Sequence, residues 1–376
     1  MNLKKTLLLI FLLVTIKATS QNEDYVKLGG ALRFNLFYKD WVDNAQPEAT
    51  LDTWRLNVDA RAAGVDLSFE YRFYPTSGNS HFLHHGYLGY GFGDDLYVKL
   101  GVTQVPFGIT KFASHSYFFQ LPYYVGLEDD YDMGIKFDYT GIENLELNFA
   151  YFRQPEPNGG VNANLDANAS RYSYDITSSD SISIRESNQF NVRAAYKIID
   201  NVEVGVSAQL GGIYNDVLKK AELSTAFAAH IVADFNNFNF KGEYIYYNYA
   251  AKADNGTTLD KIQMGAFGYN YNVAAEATIY VVGLAYSIPV SWGPISNIQP
   301  YVDYSIIDKV KSGFESTHHL IPGMLITAGS VYTYVDYAIG KNNAWLGADT
   351  WTNGLAEGSA NAVWESRFNI NIGYYF

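Results

Sequence analysis

The sequence contains no cysteine among its 376 residues. A disulfide framework, a cysteine-based zinc site and a thiol nucleophile are therefore excluded. Charged residues are also scarce, at 17% of the chain, where an average soluble domain has about 25%. Basic residues are outnumbered, and the formal net charge is −13. A chain with no extended basic surface is not expected to bind nucleic acid, so no nucleic-acid partner is predicted.

Long apolar runs are missing after the first twenty residues, so the sequence offers no transmembrane helix of about 18 apolar residues. The N-terminal stretch has a basic start at Lys4 and Lys5, an apolar run over 7–16 and small residues over 18–20. This pattern predicts a secretory signal peptide, residues 1–20, that is cleaved before Gln21. Residues 21–376 are predicted to form a single domain.

Aromatic residues are abundant, with 32 Tyr and 23 Phe, and apolar residues recur with a period of two. In the segment 367–376, Phe368, Ile370 and Ile372 alternate with Asn369 and Asn371. A strand places alternate side chains on opposite faces, so this segment has one apolar and one polar face. About sixteen segments share the pattern: 26–39, 51–63, 64–74, 82–92, 95–104, 130–139, 145–153, 187–198, 202–214, 222–235, 238–250, 277–289, 297–308, 317–329, 330–341 and 363–376.

The links between these segments are long and short in alternation. Links such as 105–129, 154–186 and 251–276 alternate with two- to seven-residue turns, so long and short links fall at opposite ends of the molecule. The sequence therefore predicts an all-β, transmembrane antiparallel β-barrel with long outer loops and short periplasmic turns. Such a barrel is expected to lie in the outer membrane of a Gram-negative bacterium and to contact its lipid. A barrel of about sixteen strands is expected to enclose an aqueous channel.

The polar face of the predicted strands carries charged residues that would line the pore. They are Arg33, Arg55, Asp59, Arg61, Glu70, Arg72, Lys99 and Lys136. One interpretation is a basic wall that attracts anionic or polar solutes. The other is that these side chains are solvated, or are paired with acidic neighbours such as Asp59, Asp66 and Glu70.

The third long link, residues 105–129, is unusually apolar and aromatic for a loop in water. We expect it to fold inward and narrow the pore. The residues predicted for this constriction are Pro106, Phe107, Gly108, Lys111 and His115. The alternative is that the loop packs over a neighbouring subunit or over the barrel rim.

Two groups of residues raise the question of a metal. Glu128, Asp129, Asp130 and Asp132 could bind calcium through carboxylate oxygens, but the prediction is a solvated acidic rim. The histidine groups 81–85 and 318–319 lack the spacing of a known metal motif. No metal and no cofactor is predicted, and the Asn- and Ser-rich segment 154–186 is expected to be an exposed, mobile loop.

Parts of the sequence resemble a known family. The signal peptide, Lys27-Leu28-Gly29-Gly30 and Gly-Val-Thr-Gln-Val-Pro-Phe-Gly over 101–108 look like the porin O/P family of phosphate-selective outer-membrane porins. The resemblance implies sixteen strands, a homotrimer and a third loop inside the lumen. It also implies that Phe376 is the terminal signal for the barrel-assembly machinery. That family selects phosphate with many lumenal Arg and Lys residues, whereas the inward charges here are mixed.

The predicted function is a porin that lets small hydrophilic solutes or ions diffuse through a water-filled barrel. It is not expected to be an enzyme, and an anion or phosphate preference is left open. One alternative is a non-conducting surface barrel, used as an adhesin or structural protein. The other is a barrel enzyme such as an outer-membrane phospholipase, which needs a Ser/His pair. Ser114-His115 and the Ser316/His318 pair carry no nucleophile motif.

Overall fold

The computed structural model of the protein describes residues 24–179 and 181–376, so the predicted signal peptide lies outside the described residues. Two 3₁₀ turns, Tyr123–Val125 and Ala167–Ala169, accompany twenty strands. The strands are β1 (Tyr25–Lys39), β2 (Glu48–Ala62), β3 (Val65–Tyr74), β4 (Ser80–Phe92), β5 (Leu96–Gln104), β6 (Tyr131–Ile142), β7 (Leu145–Pro155), β8 (Asp175–Ile176), β9 (Ile184–Ile199), β10 (Val202–Asn215), β11 (Lys220–Phe235), β12 (Phe238–Asn248), β13 (Lys261–Ala266), β14 (Tyr269–Ala274), β15 (Glu276–Tyr286), β16 (Ile288–Trp292), β17 (Ile295–Lys309), β18 (Thr317–Ala328), β19 (Val331–Lys341) and β20 (Glu365–Tyr375). In the described part of the chain, no helix has the length and apolar character needed to cross a bilayer.

Sixteen antiparallel strands form one closed barrel, in which β15 and β16 together make one strand interrupted at Ser287. Neighbours along the chain pair with each other, and β1 closes the sheet by pairing with β20 from Ala31↔Tyr375 to Lys39↔Arg367. The predicted fold class is therefore confirmed, and each of the sixteen predicted segments overlaps one barrel strand. Closure leaves no free strand edge, so the backbone groups of the wall can all be paired within it.

The two faces of the wall differ as the period of two requires. On β1, Val26 and Leu28 point outward and are 69% and 70% exposed, whereas Asn35 points inward and is 5% exposed. On β20, Phe368 is exposed and Asn369 is buried. An apolar outer face around a polar inner face is what a hydrocarbon surrounding requires of a barrel.

Strand β4 breaks the alternation at a β-bulge. The register with β3 shifts between Glu70 and Tyr71, because His85 pairs with Glu70 while Leu83 pairs with Tyr71. The extra residue, His84, is buried beside His85, and the two Nδ1 atoms lie 2.9 Å apart. The bulge explains why alternation over 82–92 is irregular in the sequence.

The long connections lie at one end of the barrel and fill the lumen there. They are L3 (105–130), L4 (156–183, described apart from residue 180), L6 (249–275) and L8 (342–364). Within L4 and L6, strands β8, β13 and β14 form a separate three-stranded sheet, which the sequence did not predict. Its side chains join inward-facing wall residues in one apolar cluster that includes Phe82, Phe152, Tyr247, Met264 and Tyr271.

This apolar cluster corrects two expectations. The predicted wide aqueous lumen is wrong for the end of the barrel that carries the long connections, because loop side chains occupy it. The predicted exposed loop over 154–186 is wrong for residues 169–177, all of which are buried. The physical reason is that this segment carries Tyr172, Tyr174 and Ile176, which bury apolar area against the loop sheet.

Closure of the barrel should be sensitive to a single methyl group at Gly30. The Gly30 amide donates to the Phe376 carbonyl at 3.0 Å, and the Phe376 amide donates back at 3.1 Å. A Cβ atom at Gly30 would overlap the carbonyl oxygen of Arg55. We expect Gly30→Ala to lower the free energy of unfolding by about 1–3 kcal/mol, measured by urea denaturation in detergent.

The matched control is Gly91→Ala on β4, where the nearest heavy atom to a new Cβ lies at 3.7 Å. This control should be neutral or slightly stabilising, because alanine loses less backbone entropy than glycine in a strand. Equal unfolding midpoints for the two variants would contradict the closure argument.

Candidate functional site

Loop L3 crosses the inside of the barrel instead of projecting from it. The loop is closed at its base by the Val105 amide, which donates to the Asp130 carbonyl at 2.8 Å. From there the Gly108 amide donates to Ser207 Oγ of β10 at 3.0 Å, and the Ile109 amide donates to Glu243 Oε1 of β12 at 2.9 Å. The start of L3 is thus attached to β10 and β12, which are distant in sequence from β5 and β6, the strands that L3 connects.

The middle of L3 is held by one carboxylate of β17. Asp303 Oδ2 accepts from the amides of His115 and Ser116 at 2.6 and 2.9 Å. The imidazole of His115 lies between Asp303 Oδ1 at 2.7 Å and Asn239 Oδ1 at 2.6 Å. Lys241 on β12 donates to the carbonyls of Phe112 and Ser114. A wall carboxylate and a wall ammonium therefore bind opposite groups of the same loop backbone.

The far end of L3 reaches two further parts of the wall. The Leu121 amide donates to Ser305 Oγ of β17 at 3.1 Å. The hydroxyl of Tyr117 donates to Asp52 Oδ1 of β2 at 3.0 Å and accepts from Asn35 of β1 at 3.1 Å. These contacts span the lumen from β10 to β1.

The predicted constriction residues lie at different depths along this path. Pro106, Phe107 and Gly108 are buried against the wall, His115 is held by Asp303, and Lys111 is exposed. Sequence reasoning did not identify their wall partners, which are Asp52, Ser207, Lys241, Glu243, Asp303 and Ser305. Alternation places all of them except Asp52 on an inward face, and Asp52 turns inward at a bulge where the register between β1 and β2 shifts. Nothing local marks any of them as a loop anchor.

The predicted pore-lining charges lie on inward faces, and most of them form ion pairs, either within the predicted set or with neighbouring aspartates. Arg33 contacts Asp52 at 2.7 Å, and Glu70 contacts both Arg55, at 3.5 Å, and Arg72. The remaining contacts are Arg61 with Asp66 at 2.6 Å, Lys99 with Asp138 at 2.9 Å, Lys136 with Asp138 at 3.6 Å, and the Ser68 hydroxyl donating to Asp59 at 2.7 Å. Of the two interpretations of these charges, the structure therefore supports pairing.

Aromatic rings hold three of these guanidinium groups in place. The centre of the Arg72 guanidinium lies 4.4 Å from the ring centre of Tyr172 in L4. The corresponding distance is 5.5 Å for Arg33 and Tyr117 of L3, and 5.4 Å for Arg55 and Tyr375 of β20. A cation at this distance from an aromatic face is attracted to it, so Arg72 and Arg33 are held between the wall and the loops, and Arg55 is held within the wall.

The predicted acidic rim is wrong. Glu128, Asp129, Asp130 and Asp132 are only 4%, 8%, 7% and 2% exposed, because L4 and L6 pack over them. Burial raises the pKa of Glu128 well above its usual range. Burial also raises the pKa of Asp129, although a hydrogen bond from the Tyr172 hydroxyl opposes the shift.

The remaining histidines and serines do not converge on one site. His81 lies beside Tyr71 at 2.6 Å and His318 beside Tyr304 at 2.9 Å, whereas His84 and His319 are buried. Of the two Ser/His pairs, His115 has both nitrogens engaged as described above, and the Ser316 hydroxyl donates to Asp308. Neither pair is arranged as a nucleophile and a base, which need a mutual hydrogen bond.

Asp303 should be the main anchor of L3. Replacing it with alanine removes a charged acceptor from two amides, and each such hydrogen bond contributes about 1.5–3 kcal/mol. We expect Asp303→Ala to increase amide exchange over residues 113–121 by tenfold or more, measured by hydrogen–deuterium exchange mass spectrometry. Asp308→Ala, which removes an exposed carboxylate from the same strand, is the control and should leave this segment protected. Unchanged protection in Asp303→Ala would remove the anchor role.

Comparison with known proteins shows which solved structures have a similar fold. No family model matches the sequence, and no curated protein matches it. Among solved structures, it is similar to the outer membrane channel DcaP of Acinetobacter baumannii, with 12% identity over 96% of this chain and 99% of that chain and a TM-score of 0.60.

Two further solved structures give the same result. The anion-selective porin from Comamonas acidovorans has 15% identity over 94% of this chain and 100% of that chain, with a TM-score of 0.58. The outer membrane protein OmpT of Vibrio cholerae, in-vitro folded and in trimer form, has 13% identity over 94% and 100%, with a TM-score of 0.57. This chain therefore shares the barrel fold of these outer-membrane proteins.

Proposed function

We propose that the protein is an outer-membrane porin through which small hydrophilic solutes or ions diffuse passively. The observation that carries the proposal is a closed sixteen-stranded wall, apolar outside and polar inside. Inward-facing charges such as Asp59 and Lys27 are exposed at the short-turn end, where water enters the barrel. A channel and an anion-selective porin share this fold. No bond is made or broken in this role.

The conducting path is proposed to be narrow and to follow one side of the lumen. The apolar cluster takes wall residues from β3 round to β17, among them Ile245, Tyr247 and Ile279, which are fully buried. At β1 and β2, the side chains of Arg33 and Arg55 retain 16% and 14% of their exposure. L3 would therefore act as the constriction, and only small solutes would pass beside the contacts that Tyr117 makes with β1 and β2.

A second candidate function is a non-conducting surface barrel, used as an adhesin or structural protein. The observation that favours it is the same apolar cluster. Phe119 and Tyr123 of L3 stack with ring centres 3.8 Å apart, and Leu121 is fully buried between loops and wall. If this packing seals the lumen, the barrel carries no current.

The proposal includes location and assembly. The protein would reach the outer membrane of a Gram-negative bacterium after removal of the signal peptide. The exposed ring of Phe376, at 66%, would be available to the barrel-assembly machinery. A homotrimer is proposed because the Vibrio cholerae neighbour has a trimer form.

Ion selectivity is proposed to be weak. A strong anion or phosphate preference needs uncompensated basic groups in the pore, and here Arg33, Arg55 and Arg72 share the carboxylates of Asp52 and Glu70. Opposite charges at these distances largely cancel one another's field along the path.

Deletion of residues 112–124 should raise the single-channel conductance by about twofold or more, since it removes the part of L3 that crosses the narrowest region. The measurement is planar-bilayer conductance of refolded protein. The control is Val217→Ser with Leu218→Ser in the exposed turn between β10 and β11, which should conduct like the wild type.

The outcome separates the two candidate functions. A wild type that conducts, with a larger conductance after the deletion, supports a porin with a loop constriction. A wild type without conductance supports the sealed surface barrel. Conductance that is unchanged by the deletion would contradict the constriction role of L3.

The paired charges should control ion preference in opposite directions. Arg55→Ala removes one positive charge from the wall and leaves Glu70 paired with Arg72 alone, so it should shift the cation-to-anion permeability ratio at least about twofold toward cations. Glu70→Gln leaves two arginines in excess and should shift the ratio toward anions. Reversal potentials in a salt gradient measure both effects.

Arg185→Ala is the control, because Arg185 lies at the exposed outer end of β9 and pairs with Asp216 there. It should change the reversal potential little. If Arg55→Ala and Glu70→Gln also leave the wild-type value unchanged, these residues are not in the conducting path.

A further inference from the structure

Five carboxylates from five different parts of the chain meet inside the barrel. We call them the acidic cluster: Asp130 at the end of L3, Asp132 of β6, Glu156 after β7, Asp175 of β8 and Glu186 of β9. One carboxylate oxygen each from Asp130, Asp132 and Asp175 lies within 4.8 Å of the others. Glu156 faces Asp175, and Glu186 adds its charge to the same group.

The acidic cluster is buried, and the positive charge near it is too small to compensate five carboxylates. Asp132, Glu156 and Asp175 are 2%, 2% and 1% exposed. In the described part of the chain, the cation paired with the cluster is Arg171, whose Nη1 donates to Asp175 Oδ2 at 3.0 Å. Five ionised carboxylates beside one guanidinium would leave most of their charge uncompensated, and burying unpaired charge is very costly.

Two carboxylates of the cluster accept a hydrogen bond on one oxygen only. Gln189 donates to Asp132 Oδ2 at 3.1 Å, and the Ser173 amide donates to Glu156 Oε1 at 2.9 Å. The second oxygen of each group, Asp132 Oδ1 and Glu156 Oε2, is buried and has no hydrogen-bond partner among residues 24–179 and 181–376. Each of these two carboxylates is therefore fixed by a donor on one oxygen while the other oxygen has no protein donor.

A small cavity adjoins the cluster. It has a volume of about 20 Å³, and Asp130, Glu186, Gln189, Gln209 and Tyr249 are among its lining residues. This is room for about one water molecule, which a bound ion could keep as an additional ligand.

We propose that the acidic cluster binds one Ca²⁺ ion, with Asp130, Asp132 and Asp175 as direct ligands and Glu156 and Glu186 around them. Ca²⁺ takes six to eight oxygen ligands in irregular geometry, which suits carboxylates from separate loops and strands. Mg²⁺ demands a regular octahedron and retains its water, so it fits this arrangement less well.

A bound cation would compensate the charge of these buried carboxylates. Burial and repulsion by Asp175 and Glu186 raise the pKa of Asp130 well above its usual range, and burial and Asp175 do the same for Glu156. With the ion bound, the carboxylates are ionised and join the end of L3 to L4 and to the wall strands β6 and β9. The proposed function is not needed for this inference, because binding does not depend on conduction.

Calcium titration of the refolded full barrel in detergent tests the proposal. Isothermal titration calorimetry should show one Ca²⁺ per chain with half-saturation below about 1 mM, and Mg²⁺ should bind at least tenfold more weakly. Tb³⁺ should show tyrosine-sensitised luminescence, because Tyr249 lies in the adjacent cavity, and Ca²⁺ should displace it.

The variants Asp130→Asn and Asp175→Asn should each weaken Ca²⁺ binding at least tenfold. Glu128→Gln is the matched control, because Glu128 is a buried acid of the same loop outside the cluster, and it should bind like the wild type. A heat-induced gel shift verifies that every variant is folded. Wild-type protein without saturable uptake up to about 10 mM Ca²⁺, Mg²⁺ binding as tight as Ca²⁺ binding, or equal affinity in the Asp130 variant would overturn the proposal.

Discussion

The pairing of every wall strand with two neighbours is the constraint on which the rest of the molecule depends. The outside of this barrel is apolar enough to face hydrocarbon, and hydrocarbon offers no water to hydrogen-bond free amides and carbonyls. The pairing of β1 with β20 removes the last two edges. Closure then forces alternate side chains to opposite environments, so the outer face is rich in Leu, Val and Phe. The inner face receives the Asn, Arg, Asp and Glu residues that the period of two places between them.

Closure also creates a volume that wall side chains cannot fill. A sixteen-stranded cylinder is too wide for side chains from opposite strands to meet, and here the loops supply the missing material. L3, L4, L6 and L8 turn inward, and their aromatic residues form one cluster with inward-facing wall residues. Polar wall groups such as Asp303, Lys241 and Ser207 bind the loop backbone. The loops are thus held by apolar burial and by directed hydrogen bonds to the wall.

The wall was largely predictable from the sequence, whereas most of the lumen was not. Alternation is local, so all sixteen strands could be located, but the bulge within 82–92 was not predicted. The burial of Asp130 and Asp132 could not be predicted, because it depends on L4 packing over them. The anchor of His115 is Asp303, 188 residues away, and no local pattern joins such a pair. Strands as short as β8, with two residues, carry too little periodicity to be recognised. The charges of β1–β3 were assigned to the correct face, but their pairing depends on side-chain geometry.

The inward course of the long loops affects what another cell, a bacteriophage or an antibody would meet at the proposed cell surface. In L3, residues 120–125 are all buried, whereas the short turn 216–219 has Val217 at 56% exposure. The outward-facing identity of the molecule would therefore be carried more by the outer turn 216–219 than by L3. Immune pressure would act on that turn, while residues 120–125 would be shaped by the packing of the interior.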